Sequence, residues 1–361
     1  MNIFIRVDAS IEIGTGHVMR CLTLAEELNN QGHQIAFISR ELDGHMCNFI
    51  KSQGHTVYML PKMKLVNNNC NIAHAHWLQT NWEIDAQQTI NIINQNISPV
   101  DWLIVDHYAL DKKWEEKLKE FTQYIMVIDD LADRLHMCDV LLDQNYYTNI
   151  DQRYKELIPR NCIKLLGPKY ALLRSEFLKE RKNLRKRTNI LKTILIFFGG
   201  SDPTHETSKV IKALEAMDCK QLLIHVVIGQ SNPQKDLIQN LCKKHPNMAF
   251  HYNIDYMSRL MNEADLAICA GASTTWERYC LGLPALLISV AYNQIEICKA
   301  VGNLGIDFYI GKSEEIYEKD INHAIEVVKS ENFDLEASSK KALEIVDGFG
   351  RIRVVSEILQ Y

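Results

Sequence analysis

Long apolar runs are missing from this sequence. No stretch of about 18 apolar residues occurs, so no membrane-spanning helix is predicted. The N-terminal "NIFIRVD" lacks the basic start, the apolar stretch and the small-residue cleavage site of a signal peptide. We therefore expect a cytoplasmic protein without a membrane partner.

Paired cysteine motifs are also missing. The ten cysteines are scattered along the chain, with no C-x-x-C pair and no metal-finger spacing. This pattern predicts reduced, mostly buried thiols, and it argues against both a disulfide framework and a zinc finger.

The sequence also lacks an excess of positive charge. The net charge is -5, and 47% hydrophobic with 24% charged residues is typical of a soluble globular protein. No general attraction to nucleic acid is expected, so an anion must be bound by a local site.

Short runs rich in β-branched residues recur along the chain, each followed by helical periodicity. They are "IFIRVD", "IAFISR", "DWLIVD", "YIMVIDD", "VLLDQN", "TILIFF", "LLIHVVIG", "DLAICA" and "PALLISV". Apolar strands that alternate with helices predict parallel, doubly wound α/β sheets, one in each half of the chain. Such sheets bind ligands beyond the carboxyl ends of their strands.

A length of 361 residues suits two domains of about 150 to 180 residues each. The predicted boundary is "FLKERKNLRKR", residues 177–187, which has six basic residues and one glutamate. This charge is typical of a solvated helix or linker, although nucleic-acid or membrane contact would use the same residues. We predict an N-terminal domain over residues 1–178, a C-terminal domain over residues 188–340 and a helical tail over residues 341–361.

The stretch "IGTGHVMRC", residues 13–21, follows the first predicted strand. Gly14 and Gly16 allow a tight turn, and an amphipathic helix begins near His17. The helix N-terminus is a potential anion site, and its dipole disfavours a positively charged imidazole. His17 is therefore a candidate general base. A histidine that only caps the helix would give the same pattern, so both interpretations stand.

Two further strand-to-helix turns carry glycine. In "FFGGSDPTHET", Gly199 and Gly200 resemble a phosphate cradle before a proline at a plausible helix start, but the G-K-S/T ending of an ATP-binding P-loop is absent. In "AGASTTWERYC", Ser273 and Thr274 could bind a diphosphate and Glu277 a ribose. The spacing of Thr274 and Glu277 equally fits a capping box, in which the glutamate would contact no ligand.

Carboxylates cluster at the predicted strand ends of the first half. They are Asp8, Asp106, Asp129, Asp130 and Asp143. Such a set indicates either a magnesium site or a polar sugar pocket, although acidic residues are also common in turns and helix caps.

A polar stretch over residues 62–77 predicts a long loop containing His74 and His76. Two histidines could be metal ligands. Without a nearby cluster of carboxylates or thiols, ordinary loop residues are favoured.

Six ordered blocks resemble one known family. They are "RVDASIEIGTGHVMRCLTLA", "IVDHYALDKKWE", "IDDLADRLHMCDVLLDQN", "LLGPKYALLRSEF", "FFGGSDPTHET" and "AGASTTWERYCLGLPALLISVAYNQ". Together they resemble the UDP-2,4-diacetamido-2,4,6-trideoxy-β-L-altropyranose hydrolases of pseudaminic acid biosynthesis. The last block also resembles the undecaprenyl-linked N-acetylglucosaminyltransferases. Both families have the two-domain GT-B fold, with two Rossmann-like domains that face a cleft.

The resemblance implies that the second domain holds UDP and that the sugar faces the first. It implies His17 as the catalytic residue, with Gly199 to Ser201 at the diphosphate, Ser273 and Thr274 at the phosphates, and Glu277 at the ribose. Asn293 and Gln294 would touch the sugar. The remaining implied substrate-binding positions, to which no separate roles are given, are Asp8, Gly14, Gly16, Tyr108 and Asn145.

The implied reaction is hydrolysis of the UDP-linked diacetamido sugar, with water activated by His17 and inversion at the anomeric carbon. It needs neither a metal nor a cofactor, because UDP is already a good leaving group, and no nucleic acid is involved. Three alternatives remain open: a GT-B glycosyltransferase, a hydrolysing UDP-N-acetylglucosamine 2-epimerase, and a non-catalytic nucleotide-sugar sensor.

Overall fold

The computed structural model describes residues 1–63, 72–95, 99–217, 219–330 and 332–361. The chain forms two compact units. Unit 1 comprises residues 1–145, 149–172 and 350–361, and unit 2 comprises residues 146–148 and 173–349. Cys70 and residues 64–71 of the predicted loop lie outside the described residues.

Unit 1 is built on a parallel sheet of seven strands. These are β1 (Asn2–Val7), β2 (Gln34–Arg40), β3 (Thr56–Leu60), β4 (Val100–Asp106), β5 (Thr122–Ile128), β6 (Val140–Asp143) and β7 (Ile163–Leu166). Their order in the sheet is β3-β2-β1-β4-β5-β6-β7. The strand order reverses between β1 and β4, which is where doubly wound sheets bind ligands.

Helices cover both faces of this sheet. They are α1 (Gly16–Asn30), α2 (Cys47–Ser52), α3 (Trp82–Asn94), α4 (Lys112–Leu118) and α5 (Ile150–Arg153), with 3₁₀ helices at Ala75–Leu78 and Pro168–Tyr170. Alternate residues of β1 enter two different cores: Ile3 and Ile5 pack in the core that includes α1, whereas Phe4 packs in the core that includes α3 and α4. Burial on both faces explains why the strand is apolar throughout.

Unit 2 repeats this architecture with six parallel strands. These are β8 (Thr193–Phe197), β9 (Leu223–Ile228), β10 (Met248–Tyr252), β11 (Leu266–Ala270), β12 (Ala285–Ser289) and β13 (Phe308–Lys312). Their order is β10-β9-β8-β11-β12-β13. The helices are α6 (Ser175–Arg181), α7 (Glu206–Glu215), α8 (Lys235–Lys243), α9 (Met257–Glu263), α10 (Thr274–Cys280), α11 (Tyr292–Asn303), α12 (Glu318–Lys329) and α13 (Leu335–Ile345).

These sheets confirm the predicted fold class, with one parallel doubly wound sheet in each half and all nine predicted strands present. The nine cysteines in the described ranges are reduced and buried, as predicted. Within those ranges no helix is long and apolar enough to cross a membrane.

The C-terminal segment differs from the predicted separate tail. Helix α13 stays in unit 2, whereas the last helix, α14 (Gly350–Ile358), returns to unit 1. Val354, Val355 and Ile358 pack in the same core as the buried face of α1. An amphipathic helix is stable only when its apolar face is covered, and α1 supplies that cover.

The basic segment 177–187 is also not a linker between the units. It begins unit 2, with α6 at its start. Arg187 is buried, and its guanidinium donates to the carbonyl oxygens of Ala264, Met261 and Leu281. These carbonyls end helices and turns, so the arginine satisfies acceptors that would otherwise be buried without donors.

Replacing Arg187 with alanine is expected to lower the free energy of unfolding by about 3 kcal/mol, because several buried carbonyls lose their donors together. Lys186→Ala is the matched control, since the neighbouring lysine side chain is 79% exposed. It should change stability by less than about 0.5 kcal/mol. Denaturant titration of both variants measures the difference, and equal stabilities would contradict a bracing role for Arg187.

Candidate active site

His17 lies where the central strands of unit 1 end. Strands β1 and β4 are paired in parallel, so the turn after β1 and Asp106 at the end of β4 lie at one edge of the sheet. His17 is the second residue of α1, and its Nδ1 lies 2.6 Å from Oδ1 of Asp106. Both side chains are buried. The sheet thus pairs two residues that are far apart in the sequence.

Arg20 holds the Asp106 carboxylate from the next turn of α1. Its Nε donates to Oδ2 and its Nη2 to Oδ1, each at 2.6 Å. Burial by itself would raise the pKa of Asp106, but the charge of Arg20 and the hydrogen bonds from Arg20 and His17 hold that pKa below its usual value. Asp106 is therefore an ionised carboxylate at neutral pH.

This carboxylate decides which nitrogen of His17 carries the proton. An ionised carboxylate only accepts hydrogen bonds, so the 2.6 Å contact requires that Nδ1 is protonated and donates to Asp106. Nη2 of Arg20 lies 3.2 Å from the same nitrogen, but an arginine only donates, so this longer contact is not a hydrogen bond to the protonated Nδ1. Nε2 has no hydrogen-bond partner among the described residues. Its lone pair can accept a proton, and the nearby carboxylate stabilises the positive ring that results. The pair has the arrangement of a general base and the group that orients it.

The alternative interpretation, in which His17 only caps α1, is wrong. The N-cap residue is Thr15, and no side chain makes a capping hydrogen bond there. The His17 imidazole bonds across the sheet edge to Asp106 instead. The electrostatic field at the His17 imidazole therefore comes from the Asp106 carboxylate as well as from the dipole of α1, whereas the sequence pointed only to the dipole.

Tyr108 and Asn145 meet at a second carboxylate, Asp130. The Tyr108 hydroxyl donates to Oδ1 of Asp130, and Nδ2 of Asn145 donates to Oδ2 at 3.2 Å. Arg20 also reaches Oδ2, with Nη1 at 3.1 Å, and so links the two carboxylates. Burial, and then the charge of Asp130, raise the pKa of Tyr108 well above its usual value. The Tyr108 ring meets His17 edge-on, with centroids 4.6 Å apart.

Asp8 has a different set of partners. It is 1% exposed and accepts from Nη1 and Nη2 of Arg6 at 2.6 and 2.8 Å. The backbone N–H of Arg40 donates to it at 2.7 Å, and Nε2 of His107 lies 3.1 Å away. These donors occupy both carboxylate oxygens, so Asp8 serves a buried ion cluster of unit 1, and the structure does not group it with His17.

The glycines of the first turn have unequal roles. Gly14 has φ +78°, a conformation that side-chain-bearing residues rarely adopt. Its N–H donates to the carbonyl of Ser10 at 2.9 Å and closes the turn. Gly16 is the first residue of α1, and space is open where a Cβ would be. Conformation therefore requires glycine only at position 14.

The other strand-end acids are occupied by protein groups. Asp129 pairs with Nη1 of Arg134 at 2.8 Å, and the Tyr154 hydroxyl oxygen lies 3.0 Å from a carboxylate oxygen of both Asp129 and Asp143. Burial raises the pKa of Asp143 well above its usual value. Among the described ranges, no group of three or more His, Cys, Asp or Glu is placed to hold a metal ion.

The described end of the predicted loop brings two rings to Tyr108. The Trp77 ring stacks on Tyr108 with centroids 5.5 Å apart, and His74 lies 4.4 Å from Trp77 and 5.5 Å from Tyr108. The His76 ring lies 6.3 Å from the rings of both His74 and Trp77, and its Nε2 is 2.7 Å from Oε1 of Glu12. The loop therefore contributes aromatic surface beside His17, which the sequence did not predict.

In unit 2 the predicted phosphate turn follows β8. Gly199 has φ +86°, and Gly200 and Ser201 continue the turn. Helix α7 begins at Glu206, so the proline at position 203 is not its start. The Asp202 carboxylate accepts from the backbone N–H groups of Glu206 and Thr207, each at 2.9 Å. Asp202 therefore already occupies the first free N–H groups of α7, which are then not available to a ligand, whereas Gly199 to Ser201 lie before this helix.

Helix α10 follows the neighbouring strand β11 and begins at Thr274, with Ser273 as its N-cap residue. No side chain caps this helix, so the capping-box interpretation is wrong. Glu277 instead accepts from Nη2 of Arg174 at 3.0 Å through Oε1. Burial raises the pKa of Glu277, and Arg174 opposes that shift. The two predicted phosphate contacts and the predicted ribose contact thus lie on one helical turn.

Asn293 and Gln294 follow β12, the next strand of the same sheet. Asn293 is exposed. Oε1 of Gln294 accepts from the backbone N–H of Val290 at 3.0 Å, so this side chain stabilises its own turn. The predicted residues of unit 2 therefore share the carboxyl edge of three adjacent strands.

Three residues in these groups were missed by sequence reasoning. Arg20 had a signal, because it lies three positions after His17 on the same face of a helix. Arg174 stands in a family block but has no local motif that marks it. Trp77 lies in a polar stretch with no periodicity, so only the tertiary structure brings it to Tyr108.

Comparison with known proteins agrees with this architecture. Residues 194–349 match the model of the glycosyltransferase family 28 C-terminal domain. The whole chain aligns with the crystal structure of Acinetobacter baumannii MurG at a TM-score of 0.67 and 17% identity, which covers 100% of this chain and 99% of that one. This similarity shows the GT-B fold.

Two relatives align with most of this chain. It is 29% identical to the uncharacterized protein MJ1062 of Methanocaldococcus jannaschii, over 80% of this chain and 55% of that protein. It is 26% identical to the UDP-2,4-diacetamido-2,4,6-trideoxy-beta-L-altropyranose hydrolase of Campylobacter jejuni, over 81% of this chain and 93% of that protein. The chain thus spans about half of MJ1062 and nearly all of the hydrolase. The resemblance read from the sequence is confirmed: this chain is similar over most of its length to a protein named as that hydrolase, it has the GT-B fold, and its residues 194–349 match the glycosyltransferase family 28 C-terminal domain.

Proposed function

We propose that this protein hydrolyses UDP-2,4-diacetamido-2,4,6-trideoxy-β-L-altropyranose, the UDP-diacetamido sugar, to UDP and the free sugar in pseudaminic acid biosynthesis. The observation that carries the proposal is the pair formed by His17 and Asp106, in which Nδ1 donates at 2.6 Å and Nε2 has no described partner. The name of the Campylobacter jejuni relative supports the choice of substrate. A sensor that only binds the nucleotide sugar would not need a histidine arranged as a base.

Unit 2 holds UDP in this proposal. The backbone of Gly199 to Ser201 and the hydroxyls of Ser273 and Thr274 receive the diphosphate, since they follow adjacent strands of one sheet. Glu277 receives the ribose through Oε2, because Oε1 already accepts from Arg174. Asn293, which is exposed at the next strand end, contacts the sugar.

Unit 1 supplies the base. Nε2 of His17 removes a proton from water as the water oxygen forms a bond to the anomeric carbon. The bond between that carbon and the UDP oxygen breaks, and UDP leaves with the electron pair. Asp106 stabilises the imidazolium that forms. Attack opposite the leaving group inverts the anomeric centre.

No separate general acid is required in this scheme. A glycosidase must protonate an alkoxide, whereas UDP leaves as a stable anion. Its growing charge is stabilised by the backbone N–H of Thr274 and by the Ser273 and Thr274 hydroxyls. The N–H groups of Thr275 and Trp276 already donate to the carbonyls of Ala272 and Ser273. Helix α7 contributes less than the sequence suggested, because Asp202 occupies its N-terminus.

The proposed reaction is also independent of a metal. The strand-end carboxylates that could bind one are engaged by protein cations and hydroxyls, as Asp106 is by Arg20 and Asp129 by Arg134. A magnesium ion would have to displace these charge-assisted hydrogen bonds. Turnover is therefore expected to persist in excess chelator.

Hydrolysis of the UDP-diacetamido sugar in ¹⁸O-labelled water tests the scheme. One ¹⁸O atom is expected on the anomeric oxygen of the released sugar and none on UDP, and the first-formed anomer should be opposite to that of the substrate. Mass spectrometry locates the label, and NMR at early times identifies the anomer. Label on the UDP phosphate would contradict attack at carbon. A sugar inverted at C2 would identify an epimerase, and turnover only with an added acceptor would identify a transferase.

A further inference from the structure

Beside His17 lies a group of rings to which the mechanism above gives no role. We define the aromatic wall as His74, Trp77 and Tyr108. Trp77 and Tyr108 are stacked, with centroids 5.5 Å apart and planes at 26°, and His74 lies against both rings. His17 meets Trp77 edge-on at 6.3 Å and Tyr108 edge-on at 4.6 Å. The wall therefore adjoins the proposed base.

Only part of the wall is closed off by the protein. Tyr108 is 4% exposed, whereas His74 and Trp77 are half-buried. The 3₁₀ helix that bears Trp77 is anchored by Leu78, which is 1% exposed and packs in a core of unit 1. Trp77 is thus held at its base and retains accessible ring surface, the usual form of an aromatic group in a ligand site.

A substrate that reacts with the help of His17 must bind close to the aromatic wall. A general base works within about 3 Å of the proton that it accepts, and the Trp77 centroid is 6.3 Å from that of His17. Trp77, Tyr108 and His74 are the aromatic rings that the structure places around His17. A sugar bound with its anomeric carbon next to the water at His17 therefore has these rings as neighbours.

The proposed substrate offers groups that suit such a surface. Two acetamido groups and the deoxy position 6 give it three methyl groups, where a common UDP-hexose carries hydroxyls. Methyl groups gain by burial against aromatic carbon, whereas a hydroxyl placed there loses its water without gaining a hydrogen-bond partner.

We propose that His74 and Trp77 form a specificity subsite that receives methyl groups of an N-acetylated, deoxy sugar. This inference rests on the proposed function for the identity of the sugar, but it concerns affinity, which can be measured without turnover. Trp77 is the main determinant, since its ring stacks on Tyr108 and also faces His17 and His74.

The test compares the affinities of two ligands in a background that cannot turn over. Calorimetry on His17→Ala, with and without Trp77→Ala, gives the dissociation constants of the UDP-diacetamido sugar and of UDP-N-acetylglucosamine, which has one acetamido group and hydroxyls at positions 4 and 6. Loss of Trp77 should weaken the first ligand about 10- to 100-fold and the second by much less. Trp77→Phe should retain most of the preference, and the affinity for UDP alone should not change.

Phe49→Ala is the control, because it removes an aromatic ring of unit 1 that is 41% exposed and is not part of the aromatic wall. It should leave the preference within about twofold, since surface substitutions away from a site have small effects. An equal weakening of both UDP-sugars by Trp77→Ala, or no weakening, would overturn the subsite. If the proposed function is wrong, the wild-type protein will not hydrolyse the UDP-diacetamido sugar. The ratio of the affinities for the two UDP-sugars tests the role of Trp77 in either case.

Discussion

Turnover of the UDP-diacetamido sugar is expected to fall about 10²- to 10⁴-fold when His17 is replaced by alanine, the usual contribution of a positioned general base. The water molecule then has no group to take its proton as it attacks. The affinity for UDP should stay within about twofold of the wild-type value, because the proposed UDP contacts lie in unit 2 and His17 lies in unit 1. Steady-state kinetics and calorimetry with UDP measure the two quantities.

His76→Ala controls for the loss of a histidine. His76 contacts Glu12 at 2.7 Å and has its side chain 52% exposed, so kcat should remain near the wild-type value. If His17→Ala hydrolyses the substrate at the wild-type rate, His17 is structural and the proposed mechanism is wrong.

Asp106→Asn is expected to lower kcat by about 10²- to 10³-fold and to change KM by less than about threefold. The amide has almost the same shape as the carboxylate, but it carries no charge to stabilise the imidazolium, and it can donate to Nδ1 and so favour the wrong tautomer. Arg20 also loses the anion that it binds through Nε and Nη2. Losing this anion also destabilises the fold, so part of the protein will be unfolded. Circular dichroism measures the folded fraction, and kcat should fall by more than the folded fraction does.

Asp85→Asn is the matched control for removing a buried carboxylate. Asp85 accepts from Arg6, Arg40 and Trp114 in the other ion cluster of unit 1. It has no described contact with His17. Its loss should lower the melting temperature, since it leaves buried cations short of an anion, while kcat per folded molecule stays close to that of the wild type. Equal losses of kcat in the two variants would contradict a specific role for Asp106.

A strand's position in its sheet decides whether it could be predicted from the sequence. The nine predicted strands are the central ones of the two sheets, and the four missed strands are the edges: β3, β7, β10 and β13. A central strand is covered by helices on both faces and reads as a continuous apolar run. The edge strands are only partly buried, as in "TVYML" and "FYIGK", so their composition does not distinguish them from loops.

The residues of the candidate site likewise fall into those that local sequence predicted and those that only the packing of strands brought together. The glycine turns and His17 were visible because each is local, within a few residues of a predicted strand end. The pairing of His17 with Asp106 was not visible, since five acids stood at strand ends and local sequence does not say which strands are neighbours. Because β1 and β4 are neighbours, Asp106 lies beside His17, whereas Asp8 contacts Arg6 and His107.

The sequence alone determined that this chain forms two parallel α/β sheets, with a glycine turn after the first strand of each, and that His17 begins a helix at one of them. These are consequences of apolar runs, glycine positions and helical periodicity, all of which act over a few residues. Only the tertiary structure decided that Asp106 lies against Nδ1 of His17 and is held there by Arg20, that Asp202 occupies the N-terminus of α7, and that Trp77 stands beside His17. Those outcomes depend on which distant segments pack together, because a buried charge must find its ionic and hydrogen-bond partners among the residues packed around it.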